Sequence, residues 1–200
     1  MATRKTKGGS KTKKTGTKKR EPLALQILAK DHKLVGGMFK RFERLDEDDV
    51  AEKEAIMREI CSALTVHAMV EEEIFYRELR GALGEDEQSE DSLDEATVEH
   101  ASLKALIGQL EHADVEDELV CAKVKVLGEY VKHHVAEEED EIFKQARKAK
   151  SKGLDLDEMG ERMKARKEQL QEAAEHTAMH DRTSARPQKS GRPAHATAAH

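Results

Sequence analysis

A repeat at an interval of 67–68 residues constrains this chain more than any other feature. Asp31-His32 is matched by Glu99-His100, and HAMVEEEIFY at 67–76 is matched by HVAEEEDEIF at 134–143. His32 and His67 lie 35 residues apart, and His100 and His134 lie 34 apart. Each half therefore reads as a helix–helix hairpin of one design, and the two halves together as a bundle with one histidine on each helix.

The apolar spacing agrees. Leu25, Leu28, Val35, Phe39 and Phe42 recur at helical intervals over about 22–45, with His32 on the same stripe. Pro22 suits a helix start. Asp46 to Asp49 predict an acidic turn and N-cap for a second helix over about 49–80, where His67 and Glu71 join the stripe of Ile60, Leu64 and Ile74. Residues 81–91 read as a polar loop closed by a Ser92/Glu95 capping box. A third helix follows over about 93–112, carrying His100 on the stripe of Leu93, Ala96, Leu103, Ile107 and Leu110. A fourth runs from beyond Asp114 to about 149, carrying His134 and Glu138 with Val120, Val124, Leu127, Val131 and Ile142. His32 is 13 residues before Leu45 and His67 is 18 after Asp49, depths of ~20 and ~27 Å at 1.5 Å per residue. Four imidazoles are thus expected at one level of the bundle.

Composition supports an all-α, up-down-up-down four-helix bundle with an extra C-terminal helix. The chain is 38% charged, 37% hydrophobic and 3% aromatic, with no Trp and three Pro. That suits narrow helical seams rather than a β-sandwich. The expected organisation is a basic disordered arm over 1–20, the bundle over 21–150, a charged accessory helix over 151–175 packed loosely beside it, and a disordered tail over 176–200. Residues 1–20 hold nine Lys/Arg and no acid, so the other 180 residues carry −15 of a total −6. An acidic body is not a nucleic-acid-binding surface, and only the arm could meet nucleic acid or an acidic partner. No apolar run reaches 18 residues, the basic N-terminus lacks an apolar leader, and Cys61 and Cys121 are isolated. These point to a cytoplasmic protein with no membrane span and inert packing cysteines. The oligomeric state is not legible.

Burying a glutamate costs on the order of several kcal/mol unless it is paired or binds metal. Two at repeat-related positions, each four residues after a histidine, point to a pair of metal ions. His32, the pair His67/Glu71, His100 and the pair His134/Glu138 strongly resemble the hemerythrin-like, HHE-type cation-binding domains over about 22–148. The resemblance implies two non-haem iron ions (Fe2+/Fe3+), with Glu71 and Glu138 bridging and His32, His67, His100 and His134 as terminal ligands. It departs from the Glu-x-x-His motif of ferritin-like bundles.

Three positions differ from close relatives of that kind. Lys104 stands where oxygen carriers have a fifth histidine, leaving an iron open or filled by water or by Glu72 or Glu139. Arg77 and Lys144 replace a proline after each H-x₃-E segment. Within His133-His134, the face of His134 is the more apolar. His176/His180 lacks a third ligand, His112 suits the end of a helix, and Tyr76 and Tyr130 read as hydrogen bonders near the site or as core.

The implied function is binding or sensing of O2, NO or redox state, or holding of iron, with the question of enzymatic turnover left open. The alternatives are a di-iron enzyme that scavenges peroxide or NO or supplies iron for iron–sulfur repair, and a helical bundle acting on nucleic acid through its arm. The absence of Cys from residues 1–20 weighs against repair.

Overall fold

The computed structural model describes residues 20–84, 87–114 and 117–184, which excludes nearly all of the basic arm and residues 185–200. Among the described residues the protein is entirely helical: α1 (Leu23–Phe42), α2 (Val50–Val70), α3 (Arg77–Leu83), α4 (Glu87–Glu111), α5 (Val120–Glu137), α6 (Phe143–Ser151) and α7 (Leu156–Ser184). Two π-helical segments, π1 (Glu71–Tyr76) and π2 (Glu138–Ile142), join α2 to α3 and α5 to α6 without a break. The long rods α1, α2–π1–α3, α4 and α5–π2–α6 form the up-down-up-down bundle, and α7 packs against α1 and α2. No described helix is long and apolar enough to cross a membrane.

Several boundaries differ from the sequence reading. Pro22 stands at the N-cap of α1, its carbonyl accepting from Gln26 N at 3.0 Å. Asp49 stands at the N-cap of α2, but its carboxylate turns back to accept from Asp46 N at 3.1 Å, and the helix start has no side-chain cap. There is no Ser92/Glu95 capping box. Gly84, at φ 65°, ends α3, and α4 is already under way by Glu87. Acidic Glu87 and Glu90 favour that earlier start by facing the positive end of the helix. Ser92 instead donates to Glu141 Oε2 at 3.1 Å.

The accessory helix is not loosely packed. Asp155 caps it, its Oδ1 accepting from the backbone N of Asp157 and Glu158. Leu156, Met159 and Met163 are fully buried. Gly160 meets α1 so closely that a Cβ would lie 2.7 Å from Ala24 N. Arg162 and Arg166 form paired hydrogen bonds with Glu78 and Glu73. The helix also runs past residue 175 to Ser184, because no Gly or Pro interrupts the chain there.

The core is split in two. One apolar cluster, around Leu25, Leu28, Phe75, Leu79 and Phe143, lies at the end where α7 begins. The other, around Phe39, Ile60, Leu64, Leu110 and Leu127, fills the opposite end. Between them runs a buried polar layer.

Candidate metal centre

That layer consists of Asp31, His32, His67, Glu71, His100, His134 and Glu138, all buried. Each histidine stands where an apolar stripe would otherwise continue, so burial of the stripe carries the imidazole inward. The π segments begin at the two glutamates. From His67 the buried positions run 71, 75, 79 and 83, and from His134 they run 138, 142 and 146. Steps of four drift by about 40° each on a 3.6-residue helix. One wider turn takes up that drift and keeps the polar layer and the core on one face; π segments of this kind are frequent at functional sites.

The four imidazoles meet in two pairs. His32 Nε2 lies 3.2 Å from His67 Nε2, and His100 Nε2 lies 3.1 Å from His134 Nε2. Glu71 reaches both pairs: Oε1 is 3.1 Å from His67 Nε2 and Oε2 is 3.3 Å from His100 Nε2. Glu138 Oε2 lies 3.0 Å from His32 Nε2, while its Oε1 accepts from the Tyr76 hydroxyl at 3.4 Å. Two groups of donor atoms result, His32/His67/Glu71/Glu138 and Glu71/His100/His134, with Glu71 common to both. Of the doublet, His134 is buried in this layer and His133 is exposed.

A ring of outer carboxylates holds three of the other ring nitrogens and stands near the fourth. Nδ1 of His32, His100 and His134 lies 2.8, 2.9 and 2.7 Å from Glu139, Glu72 and Glu99, and Nδ1 of His67 lies 3.6 Å from Asp31. The pattern follows the repeat: Glu139 and Glu72 each back a histidine of the opposite hairpin, and Asp31 and Glu99 one of their own. Glu72 and Glu139 therefore act on the imidazoles from outside. The sequence reading paired Asp31 with Glu99 but gave neither a role. Lys104 Nζ binds Glu72 at 2.6 and 2.7 Å, and Lys167 binds Asp31.

These contacts fit a metal pair. A neutral imidazole whose Nδ1–H donates to a carboxylate presents only a lone pair at Nε2. His100 and His134 then turn two lone pairs and a carboxylate oxygen toward one another, an arrangement that calls for positive charge between them. Both oxygens of Glu71, Oε2 of Glu138 and Nδ1 of His67 are buried without a hydrogen-bond partner, which native structures seldom leave uncompensated.

Without metal, protons supply the charge. Burial opposes ionisation of His67, but the charge of Glu71 with its Asp31 and Glu71 contacts raises it to about 10. Burial likewise opposes charge on His32 and His100, yet the carboxylates beside them, Glu138 at 3.0 Å and Glu71 at 3.3 Å, raise them. Burial would raise Glu71, but His67 and His100 hold it well below the usual range. Glu138 is pushed up to about 7 by burial and then by the neighbouring Glu71 charge. Burial lowers His134.

The remaining residues singled out from sequence lie elsewhere. Tyr76 is buried against His100, at 5.5 Å between ring centres, whereas Tyr130 is half exposed. Cys61 is buried and its thiol pushed up to about 12 by burial, as an inert packing residue should be. Cys121, by contrast, is exposed, because α5 turns that side to solvent. His112 Nδ1 donates to Gly108 O at 2.8 Å near the end of α4. His176 is exposed on α7, and the side chain of His180 is outside the described set.

Comparisons with known proteins agree with this architecture. The model of the hemerythrin HHE cation binding domain matches residues 23–146. No curated protein matches the chain. A crystal structure of a hemerythrin HHE cation binding domain-containing protein from Mycobacterium kansasii shares the fold with a TM-score of 0.63 at 20% identity, covering 76% of this chain and 88% of that one. The chain belongs to the hemerythrin HHE cation binding domain family and is a metal-binding helical protein.

Proposed function

We propose that the protein holds two non-haem iron ions and uses them to bind or sense a small diatomic ligand, O2 or NO, rather than to turn over a substrate. The observation that carries this reading is the convergence of four Nε2 atoms in two pairs with the unsatisfied oxygens of Glu71 between them. Glu71 would bridge both metals, with Glu138 as the second carboxylate. His32 and His67 would serve one ion, His100 and His134 the other. The outer carboxylates fix the rings of His32, His100 and His134 so that Nε2 faces inward, and Tyr76 holds the Glu138 carboxylate in place.

Iron with imidazole and carboxylate ligands and a free position supplies redox change and affinity for diatomic molecules. Lys104 supplies no inward ligand, since its ammonium is held by Glu72. A cavity of about 20 Å³ touches all four imidazoles and is otherwise walled largely by aliphatic side chains, including Val35, Leu103, Ile107 and Val131. That is room for a particle of water size, and its walls would keep bulk water out.

The test is metal content and visible absorption of protein purified without air and then exposed to O2 or NO. Two irons per chain, with ferric charge-transfer absorption that vanishes in Glu71→Ala, is the expected result. Folded protein that takes up no iron on reconstitution overturns the reading. Catalytic removal of peroxide or NO well above that of free iron would replace the sensor with a scavenging enzyme.

A further inference from the structure

A cleft of about 40 Å³ opens beside the second hairpin and is lined by Ser92, Glu95, Glu99, Glu137, Glu138 and Glu141, with His134 at its inner end. Five carboxylates line it and no Lys or Arg does. Exposed His133 meets two of these carboxylates, its Nε2 lying 3.1 Å from Glu137 Oε1 and 3.8 Å from Glu99 Oε1. These three residues offer donor atoms that all lie within 4.8 Å of one another. At the inner end stands Glu138, fully buried, whose Oε2 has no hydrogen-bond partner and lies 3.0 Å from His32 Nε2 in the centre itself. Glu99 spans the two levels, since its other oxygen holds His134 Nδ1 at 2.7 Å.

We propose that Glu99, His133 and Glu137 form an outer capture site for a divalent cation, from which metal passes down the acidic cleft to the buried centre. The inference rests on the metal reading of that centre. The first hairpin supplies an independent comparison. By the repeat, Asp31, Val66 and Val70 correspond to Glu99, His133 and Glu137. There the two valines are buried, and the ammonium of Lys167 sits on Asp31. Where the first half fills the position with its own cation, the second offers an imidazole and two carboxylates with no Lys or Arg paired to them among the described residues. One nitrogen and two oxygens suit ferrous, manganous or zinc ions. With water completing the shell, such a site holds metal weakly enough to release it inward. The negative cleft raises the local cation concentration at the entrance.

The experiment mixes metal-free full-length protein with ferrous iron under anaerobic conditions and follows loading by competition with a chromogenic ferrous chelator. Glu137→Lys, which recreates the first half's ammonium, and the double variant His133→Ala/Glu137→Gln are expected to load at least about tenfold more slowly, on the scale of electrostatic steering. Both should still reach two irons per chain. Glu59→Lys, the same charge reversal on an exposed face of α2, should load at the wild-type rate. Equal rates in wild type and both cleft variants overturn the capture site and leave the inner centre standing. Glu59→Lys slowing as much as Glu137→Lys also overturns it, since net charge would then be the cause. Wild-type protein that takes up no iron at all removes the inner centre and the capture site with it.

Discussion

The two halves of the centre share a ligand pattern and differ in almost everything that surrounds it. In the first, Asp31 stands 3.6 Å from His67 Nδ1 and is bound by Lys167 from α7. In the second, Glu99 holds His134 Nδ1 at 2.7 Å and faces the exposed imidazole of His133. Tyr76 reaches the carboxylate of Glu138, while its repeat partner Phe143 stacks beside His32 at 6.1 Å. Gly36 in α1 corresponds to Lys104 in α4. Burial acts against charge on both repeat partners, but Glu71, 3.1 Å from His67, raises that residue to about 10, whereas burial lowers His134. Atoms that would meet a metal have little freedom, so they repeat. Atoms one shell further out answer to α7 on one side and to solvent on the other, and there the halves diverge.

Glu71→Ala should have the largest effect, because Glu71 alone touches both pairs. Bound metal, measured by elemental analysis, is expected to fall to background. Retention of one ion per chain would show that the halves bind independently and that Glu71 does not join them.

Next comes pH. Glu138, raised to about 7, and His67, raised to about 10, keep protons in the folded metal-free protein that the unfolded chain releases at lower pH. Their contribution is fully present below the unfolded values and is lost as pH rises through about 7 and then about 10. His134, lowered, acts in the opposite sense only below its ordinary value. The melting temperature of metal-free protein should therefore fall between about pH 7 and pH 10, by free energies on the order of several kcal/mol. Metal, which displaces the same protons, should flatten the curve. A metal-free protein whose stability rises over that interval would contradict the proton-filled site.

The outer carboxylates separate the halves directly. Glu99→Gln is expected to weaken one ion and Asp31→Asn the other, each by about 10–100-fold, as read by metal titration with two resolvable steps. Loss of both ions to the same extent in either variant would merge the sites.

The smallest effect is expected at the contact between α7 and α1. Gly160→Ala gains about 1 kcal/mol of helix propensity but places a methyl against Ala24 N, a clash costing about 1–3 kcal/mol. Thermal denaturation should show a net loss of about 1 kcal/mol by that balance, and metal affinity should fall only in the first half. A stabilised variant would mean that α7 sits less tightly on the bundle.

The centre was legible in the sequence because its members repeat: two H-x₃-E pairs and two further histidines at matched spacing fix both the bundle and the residues it brings together. The outer ring was only half legible. Glu72 and Glu139 adjoin the buried glutamates and invite notice, but Asp31 and Glu99 look like ordinary helix-surface acids until a neighbouring helix is in place. Lys167 lies 136 residues from Asp31, and nothing local announces that contact. The π segments did leave a trace, the unbroken run of four-residue steps after His67 and His134. A stripe read with a 3.6-residue period puts Ile74 on the buried face, where the protein buries Phe75 and Tyr76 instead.

Those two wide turns carry a lesson for anyone transplanting this centre into another scaffold. An idealised bundle with straight rods can be given the same histidines and glutamates at the same heights, yet beyond each glutamate its apolar seam would rotate away from the partner helices. The transplant would have to copy one surplus residue in each of two rods. Deleting one residue from either segment should accordingly do more harm than shortening a loop by the same length.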